Sequence, residues 1–251
     1  MIYVTGDTHG EAHRDKLEAT NWPTGQSLNH DDYVIVCGDF SGAGSPEERY
    51  KKVFSWWENQ CWTTLFIDGN HEVFDVLDSM DTKECFGAPV HINPSYPHVI
   101  HLMRGYVYSL PDGHGGTIST LAMGGAQSVD RASRTEGFDW WAREMPSEEE
   151  YDRCTANLAA RNWSVDYVLT HELPADLRMY ALDWRSYAKL SSGADVHSSY
   201  LQWMYDNLNK DALKCWYAGH YHIDKFVDDK VRVLFDDIVT INATELQEQD
   251  D

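Results

Sequence analysis

Five short blocks gather side chains that bind metals: Gly6-Asp7-Thr8-His9, Gly38-Asp39, Gly69-Asn70-His71-Glu72, Thr170-His171 and Gly219-His220-Tyr221-His222. Their carboxylate, amide and imidazole donors suffice for two adjacent cations, a pattern that implies hydrolytic chemistry. Asp7 and His9 lie two apart just past a strand-like run, where an extended backbone aims both side chains to one side. Carboxylates favour hard ions and imidazoles favour transition ions, so a mixed set without thiolate points to manganese, iron or zinc above calcium. A lone Asp-x-His pair is more often a turn with a surface histidine. The ordered succession of five blocks is what carries the reading.

The elements that must position these blocks follow from the runs before them. Residues 2–5, 33–37 and 64–67 are short, apolar and rich in β-branched residues, with helical stretches expected between them: the βαβ alternation of a layered α/β fold. Such folds present ligands at the carboxyl ends of their strands. The helix after residue 45 is well marked, with Ser45 as cap, Pro46 in the first turn, Glu47 and Glu48 at the positive end, and Tyr50, Val53, Phe54 and Trp57 at helical spacing. Strands at 99–103, 106–110 and 117–123 follow one another closely across Gly-rich turns, which predicts antiparallel pairing. Further strands are expected at 167–170, 214–218, 225–227, 231–235 and 238–241. Between them, 124–161 reads as a lid or insertion containing Arg131, Arg134, Trp140 and Trp141, with a capping box from Ser147 to Glu150. One domain is expected over 1–244, followed by an acidic frayed tail at 245–251.

Composition restricts the partners. Lys and Arg total 20 and Asp and Glu 41, for a formal charge of −21, so stable binding of duplex nucleic acid is not expected. A small phosphoester remains compatible, because divalent cations reverse the field locally. The five cysteines lack C-x-x-C spacing, which disfavours both a disulfide framework and a thiolate metal site and fits a reducing, cytoplasmic setting. No signal-like or membrane-spanning run is apparent, so no membrane partner is expected, and the oligomeric state is not readable.

The blocks GDTHG, GDF, GNHE, TH and GHYH resemble the signature of the calcineurin-like metallophosphoesterases over most of the chain, from Asp7 to His222. The resemblance implies an α/β fold of four layers, α/β/β/α, in which two mixed sheets are flanked by helices and a binuclear metal site lies at the strand ends. It assigns Asp7, His9 and His222 to one metal, Asn70, His171 and His220 to the other, and Asp39 as the bridge. The implied cofactor is a pair of divalent transition ions, manganese first, with iron, zinc or nickel as alternatives. Two such ions about 3.5–4 Å apart turn a bridging water into hydroxide and clamp the phosphoryl oxygens. A neutral Asn70 preserves the positive surplus that attracts a phosphate. His71 is not needed as a ligand, and the resemblance makes it the general acid at the leaving oxygen. Gly6, Gly38, Gly69 and Gly219 are expected where a side chain would crowd a turn with unusual backbone angles.

The match departs from the serine/threonine phosphatase branch at the second block. That branch reads GD-x-x-D-R-G, whereas Asp39 is followed here by Phe40-Ser41-Gly42-Ala43-Gly44. The Asp that orients the catalytic His and the Arg that grips phosphate must therefore be replaced elsewhere. Residues 124–131, with Trp140-Trp141 and Glu144, are similar to a bacterial and phage subgroup, and Arg131 or Arg134 is the expected phosphate contact. Surface salt bridges are the plain alternative for both arginines. Packing is the plain alternative for Trp56-Trp57 and Trp140-Trp141, and Asp68 and Glu72 are expected to hydrogen-bond metal-binding imidazoles. The leading expectation is hydrolysis of a small or nucleotide-like phosphomonoester or phosphodiester. A metal-dependent nuclease and a catalytically silent scaffold are the alternatives.

Overall fold

Alternation along the strands sets the layering in the computed structural model, which describes residues 1–41, 46–182 and 195–241. Strands β1 (Ile2–Thr5), β2 (Tyr33–Cys37) and β3 (Thr63–Ile67) lie side by side in parallel. Ile35 and Cys37 of β2 face a core shared with a second sheet, where Ala122, Leu169 and Tyr217 meet them. Val34 and Val36 face the other way, against Val53, Phe54 and Trp57 of helix α1 (Pro46–Glu58).

Two mixed sheets result. The first is ordered β13 (Ile238–Thr240), β1, β2, β3, β6 (Val99–Leu102), β5 (Ala88–Ile92), β4 (Asp81–Cys85). The second is ordered β11 (Lys225–Asp228), β12 (Val231–Val233), β10 (Cys215–Ala218), β9 (Tyr167–Thr170), β8 (Thr117–Met123), β7 (Tyr106–Pro111). Helices α3 (Glu148–Ala159) and α5 (Val196–Asn207) cover the outer face of the second sheet, where Cys154, Leu158, Leu201 and Met204 pack on Leu121, Val168 and Trp216. Two short helices, α2 (Phe74–Ser79) and α4 (Arg178–Ala181), complete the set used below. The architecture is the α/β/β/α sandwich of two mixed sheets. β1, β2 and β3 of one sheet and β9 and β10 of the other carry the five blocks at their carboxyl ends.

Three local expectations differ. The link between β1 and β2 is two 3-10 turns, Asp15–Leu17 and Pro23–Ser27, because Pro23 and Gly25 interrupt any longer helix. The hairpin of β4 and β5 has no strand signature in the sequence: Asp81, Lys83 and Glu84 make β4 a charged, exposed edge that lacks the apolar alternation of the buried strands. Segment 124–161 divides, with 3-10 turns at Arg131–Ser133 and Ala142–Glu144 and then α3, whose apolar face belongs to the core. The capping box is present, Ser147 Oγ accepting from Glu150 N at 3.3 Å and Glu150 Oε2 from Ser147 N at 2.7 Å. Ser45 and the 245–251 tail lie outside the described residues. So do Gly42, Ala43 and Gly44, and the side chains of Pro46 and Glu47. The cysteines are all free, and no helix of the described residues is long and apolar enough to cross a membrane.

Phe40 joins this frame to the ligand loops. Its ring is fully buried, stacked on Phe66 at 4.1 Å and on Trp57 at 5.1 Å. Its carbonyl accepts from Gly10 N at 3.1 Å, binding the first block to the second. We expect Phe40→Ala to lower unfolding free energy by about 3–5 kcal/mol, as for other buried aromatics. Urea unfolding checks this through a reduced midpoint at unchanged slope.

Candidate metal centre

Each block leaves its strand in a turn that aims a donor into one small volume. Asp39, His9, His220 and His222 have positive φ angles of 46°, 44°, 70° and 51°, a region that Asp and His enter more readily than other residues with side chains. Such backbone is strained and persists only when its surroundings over-determine it. Asp7 and His9 therefore meet through a left-handed turn rather than along an extended strand end. Of the four block glycines only Gly38 has positive φ, at 89°. A Cβ on Gly38 would overlap the His171 ring, and close approach alone accounts for Gly6, Gly69 and Gly219.

The donors gather in two groups, Asp7 with His9 and His222, and Asp39 with His171 and His220, each with atoms within 4.8 Å of one another. In the first, His9 Nε2 and His222 Nε2 are 2.9 Å apart, and Asp7 Oδ2 lies 3.7 Å from the one and 3.0 Å from the other. That Oδ2 is buried without a hydrogen bond, a costly state unless a cation answers it. In the second, His171 Nε2 lies 3.3 Å from Asp39 Oδ1 and 3.2 Å from Asn70 Oδ1, while His171 Nδ1 donates to the Cys37 carbonyl at 2.8 Å. Asp39 also reaches the first group, its Oδ2 lying 3.7 Å from His9 Nδ1. Carboxylate, amide and imidazole ligand atoms thus converge on one space, and their chemistry fits a pair of divalent transition ions.

The electrostatics carry the same demand. Burial opposes a charge on His171, yet Asp39 and Asp7 push its pKa up to about 10, so a proton is held between the carboxylates where a cation would serve. Asp39 itself sits well below the usual carboxylate range despite burial, because His171 faces it. Burial drives His9 down to about 4 against the pull of Asp39 and Asp7, which leaves a neutral ring able to ligate. His222 is raised by its contact with Asp7.

His71 lies at the opening. Its backbone N donates to Asp39 Oδ1 at 2.8 Å, and its ring is 5.3 Å from that of His9. Arg134 reaches it, with Nη1 2.9 Å from His71 Nδ1, and Asp130 holds the same guanidinium at 2.7 and 2.9 Å. Arg131 is instead exposed, and no hydrogen bond or ion pair among the described residues engages its side chain.

The flanking acids act differently from expectation. Neither Asp68 nor Glu72 orients a metal-binding imidazole. Glu72 is fully buried and accepts from Phe40 N, Ser41 N, Ser41 Oγ and Gly69 N at 2.7, 3.1, 2.8 and 3.2 Å, which ties the second block to the third. Burial and Asp39 push its pKa up to about 8, and these donors pull the other way. Asp68 takes His101 Nε2 at 3.0 Å and Arg104 Nε at 2.7 Å, and with these partners its pKa is lowered despite burial. Sequence reasoning missed Glu172, whose Oε2 is 3.9 Å from His220 Nε2 and whose position directly after His171 was a signal. It also missed Lys16, which donates to the carbonyls of Gly6 at 3.2 Å and Asp7 at 2.9 Å, and His13, whose ring lies 5.2 Å from His9. Trp57 and Trp141 pack in the core, leaving no stacking platform there.

The calcineurin-like phosphoesterase profile matches residues 1–224, and the chain belongs to that family. Membership makes it a metal-dependent phosphoesterase, a hydrolase. A search of curated proteins finds no match to it. We expect Asp39→Asn to lose bound metal and His71→Ala to retain it, as read by elemental analysis after manganese loading and desalting. Equal loss in both variants would make His71 a ligand.

Proposed function

We propose that the chain hydrolyses a small phosphomonoester or phosphodiester, nucleotide-like in size, at a binuclear centre. Asp7, His9 and His222 hold one ion, Asn70, His171 and His220 the other, and Asp39 spans both. Bound there, the cations, manganese first among them, supply Lewis acidity and a hydroxide nucleophile at neutral pH. The observation that carries the reading is the contact of Arg134 with His71 beside the two donor groups. It supports a phosphate seat of a kind the second block does not supply, since Asp and Arg are missing after Asp39.

The residues divide the work. Arg134 offers its Nη1 end to a phosphoryl oxygen, and Asp130, gripping Nε and Nη2, keeps the guanidinium aimed. The imidazole of His71 faces the guanidinium with Nδ1 2.9 Å from Arg134 Nη1 and Nε2 3.4 Å from Nη2, and a proton carried on this ring would stabilise or protonate the leaving oxygen. Burial lowers the His71 pKa, Asp39 opposes that shift, and Arg134 adds to it. A neutral ring therefore waits for substrate. The formal charge of −21 supports a small substrate over a long polyanion, and the free cysteines support a reducing, cytoplasmic setting.

A hydrolysis panel tests this with added manganese, zinc or nickel, using aryl phosphomonoester, aryl phosphodiester, cyclic nucleotide, dinucleoside polyphosphate and single-stranded DNA. Hydrolysis of small esters that chelator abolishes and manganese restores is expected. Preference for DNA would move the activity to the nuclease class, and no hydrolysis at all would mark a scaffold. Arg134→Ala should raise KM by about tenfold or more, the worth of a hydrogen bond to a charged group, with Arg131→Ala near wild type. His71→Ala should lower kcat by about 10²–10⁴-fold.

A further inference from the structure

Asn70 poses a problem of direction. Its amide is nearly the same shape turned end over end, and only its hydrogen-bond partners decide which end faces where. A cation accepts the oxygen end and is repelled by the NH2 end. The side chain is buried, with Nδ2 3.0 Å from Ser128 Oγ and Oδ1 3.2 Å from His171 Nε2. A serine hydroxyl does not settle the matter alone, because it can donate to the amide oxygen as readily as accept from the nitrogen.

Glu144 settles it. Its carboxylate is 1% exposed and is spent on Ser128, Oε1 accepting from the backbone N at 2.9 Å and Oε2 from Oγ at 2.6 Å. The one hydroxyl proton is thereby committed, so Ser128 turns only lone pairs toward Asn70 and binds only its NH2 end. We propose that Glu144 and Ser128 are positioning residues that lock the Asn70 amide with its oxygen toward the second metal group. The inference rests on the binuclear reading above and extends it to residues outside the five blocks.

The frame around them closes on itself. Arg104 Nη2 donates to the carbonyls of Arg143 at 2.9 Å and Glu144 at 3.2 Å, and Arg104 Nε donates to Asp68 at 2.7 Å. Asp68 lies two residues before Asn70, and its carbonyl accepts from Gly125 N at 2.9 Å. One guanidinium thus fixes both the root of the Asn70 loop and the turn that carries Glu144. Burying a carboxylate is costly unless its oxygens are satisfied, and here one takes the Ser128 backbone N–H while the other directs the hydroxyl.

Glu144→Gln tests the lock because it keeps the shape. The Gln amide can donate to Ser128 Oγ, which frees the hydroxyl proton to turn toward Asn70 and lets the Asn70 amide flip. Manganese titration by calorimetry, with electron paramagnetic resonance at each equivalent, reads the two sites separately. We expect wild type to bind two equivalents with a spin-coupled pair. We expect Glu144→Gln and Ser128→Ala to bind the second about 10- to 100-fold more weakly, the usual effect of losing a group that orients a ligand, with the first unchanged. In an Asn70→Asp background, where both ends are oxygen, Glu144→Gln should cost the second site nothing. Wild-type affinity for the second equivalent in both single variants would overturn the inference. So would an equal loss in the Asn70→Asp background, which would mean general loosening. Fewer than two equivalents in wild type would defeat the binuclear reading itself, an outcome told apart because it needs no variant.

Discussion

Two sheets aim like-natured groups at the same small space. Carboxylate oxygens of Asp7 and Asp39 and ring nitrogens of His9, His171 and His222 approach one another at 3.0–3.8 Å, with few protons to share among them. The two carboxylates repel each other more strongly in a low-dielectric interior than in water, and the proton on His171 stands between them where a cation would serve. The scaffold therefore has to hold them against their own field until a cation arrives. That requirement explains why four donor residues sit in left-handed backbone and why the loops bearing them are laced to one another more than to solvent.

The lacing is itself polar and buried. Glu72 binds the second loop to the third, Lys16 braces the first against the loop near Phe235, and Thr8 N and His9 N donate to the Asp39 carbonyl at 3.2 and 2.7 Å. A buried ionic group adds little net stability beside an apolar replacement, but removing one partner is severe. What these groups contribute is geometry. Apolar packing of Phe40 on Phe66 anchors the loop roots, and directional hydrogen bonds set where the tips point.

Legibility in the sequence followed the range of the forces involved. The block residues were readable because each lies within a few residues of a strand whose apolar run is local, as in residues 2–5 before Asp7 or 33–37 before Asp39. The sandwich was readable from the alternation of such runs together with the family resemblance. Asp81 to Cys85 escaped because an exposed edge strand has no buried face to impose a pattern. The residues before Tyr33 escaped in the opposite sense, their helical appearance yielding to Pro23 and Gly25. Contacts such as Asn70 with Ser128, separated by 58 residues, leave no periodic trace, although Ser128 and Glu144 stood in a segment already marked out. Left-handed angles at His9 or His222 have no sequence signature beyond the mild tolerance of His for that region.

The loss of Asp and Arg after Asp39 has a physical consequence of its own. In the serine/threonine branch a carboxylate beside the catalytic histidine would raise that imidazole's basicity, whereas here a guanidinium lies against His71 and lowers it. A cation can face the ring only while the ring is neutral, so orientation and protonation of His71 are coupled through Arg134. On the proposed reading an arriving anion would relieve that pressure by drawing Nη1 from His71 and the Asp139 carbonyl, while Asp130 keeps Nε and Nη2. The ring would then regain basicity only with negative charge beside it. If His71 is the proton donor proposed above, it would be timed by the substrate's charge rather than by a fixed carboxylate, which suits a site whose second block carries no charged side chain past Asp39 until Glu47.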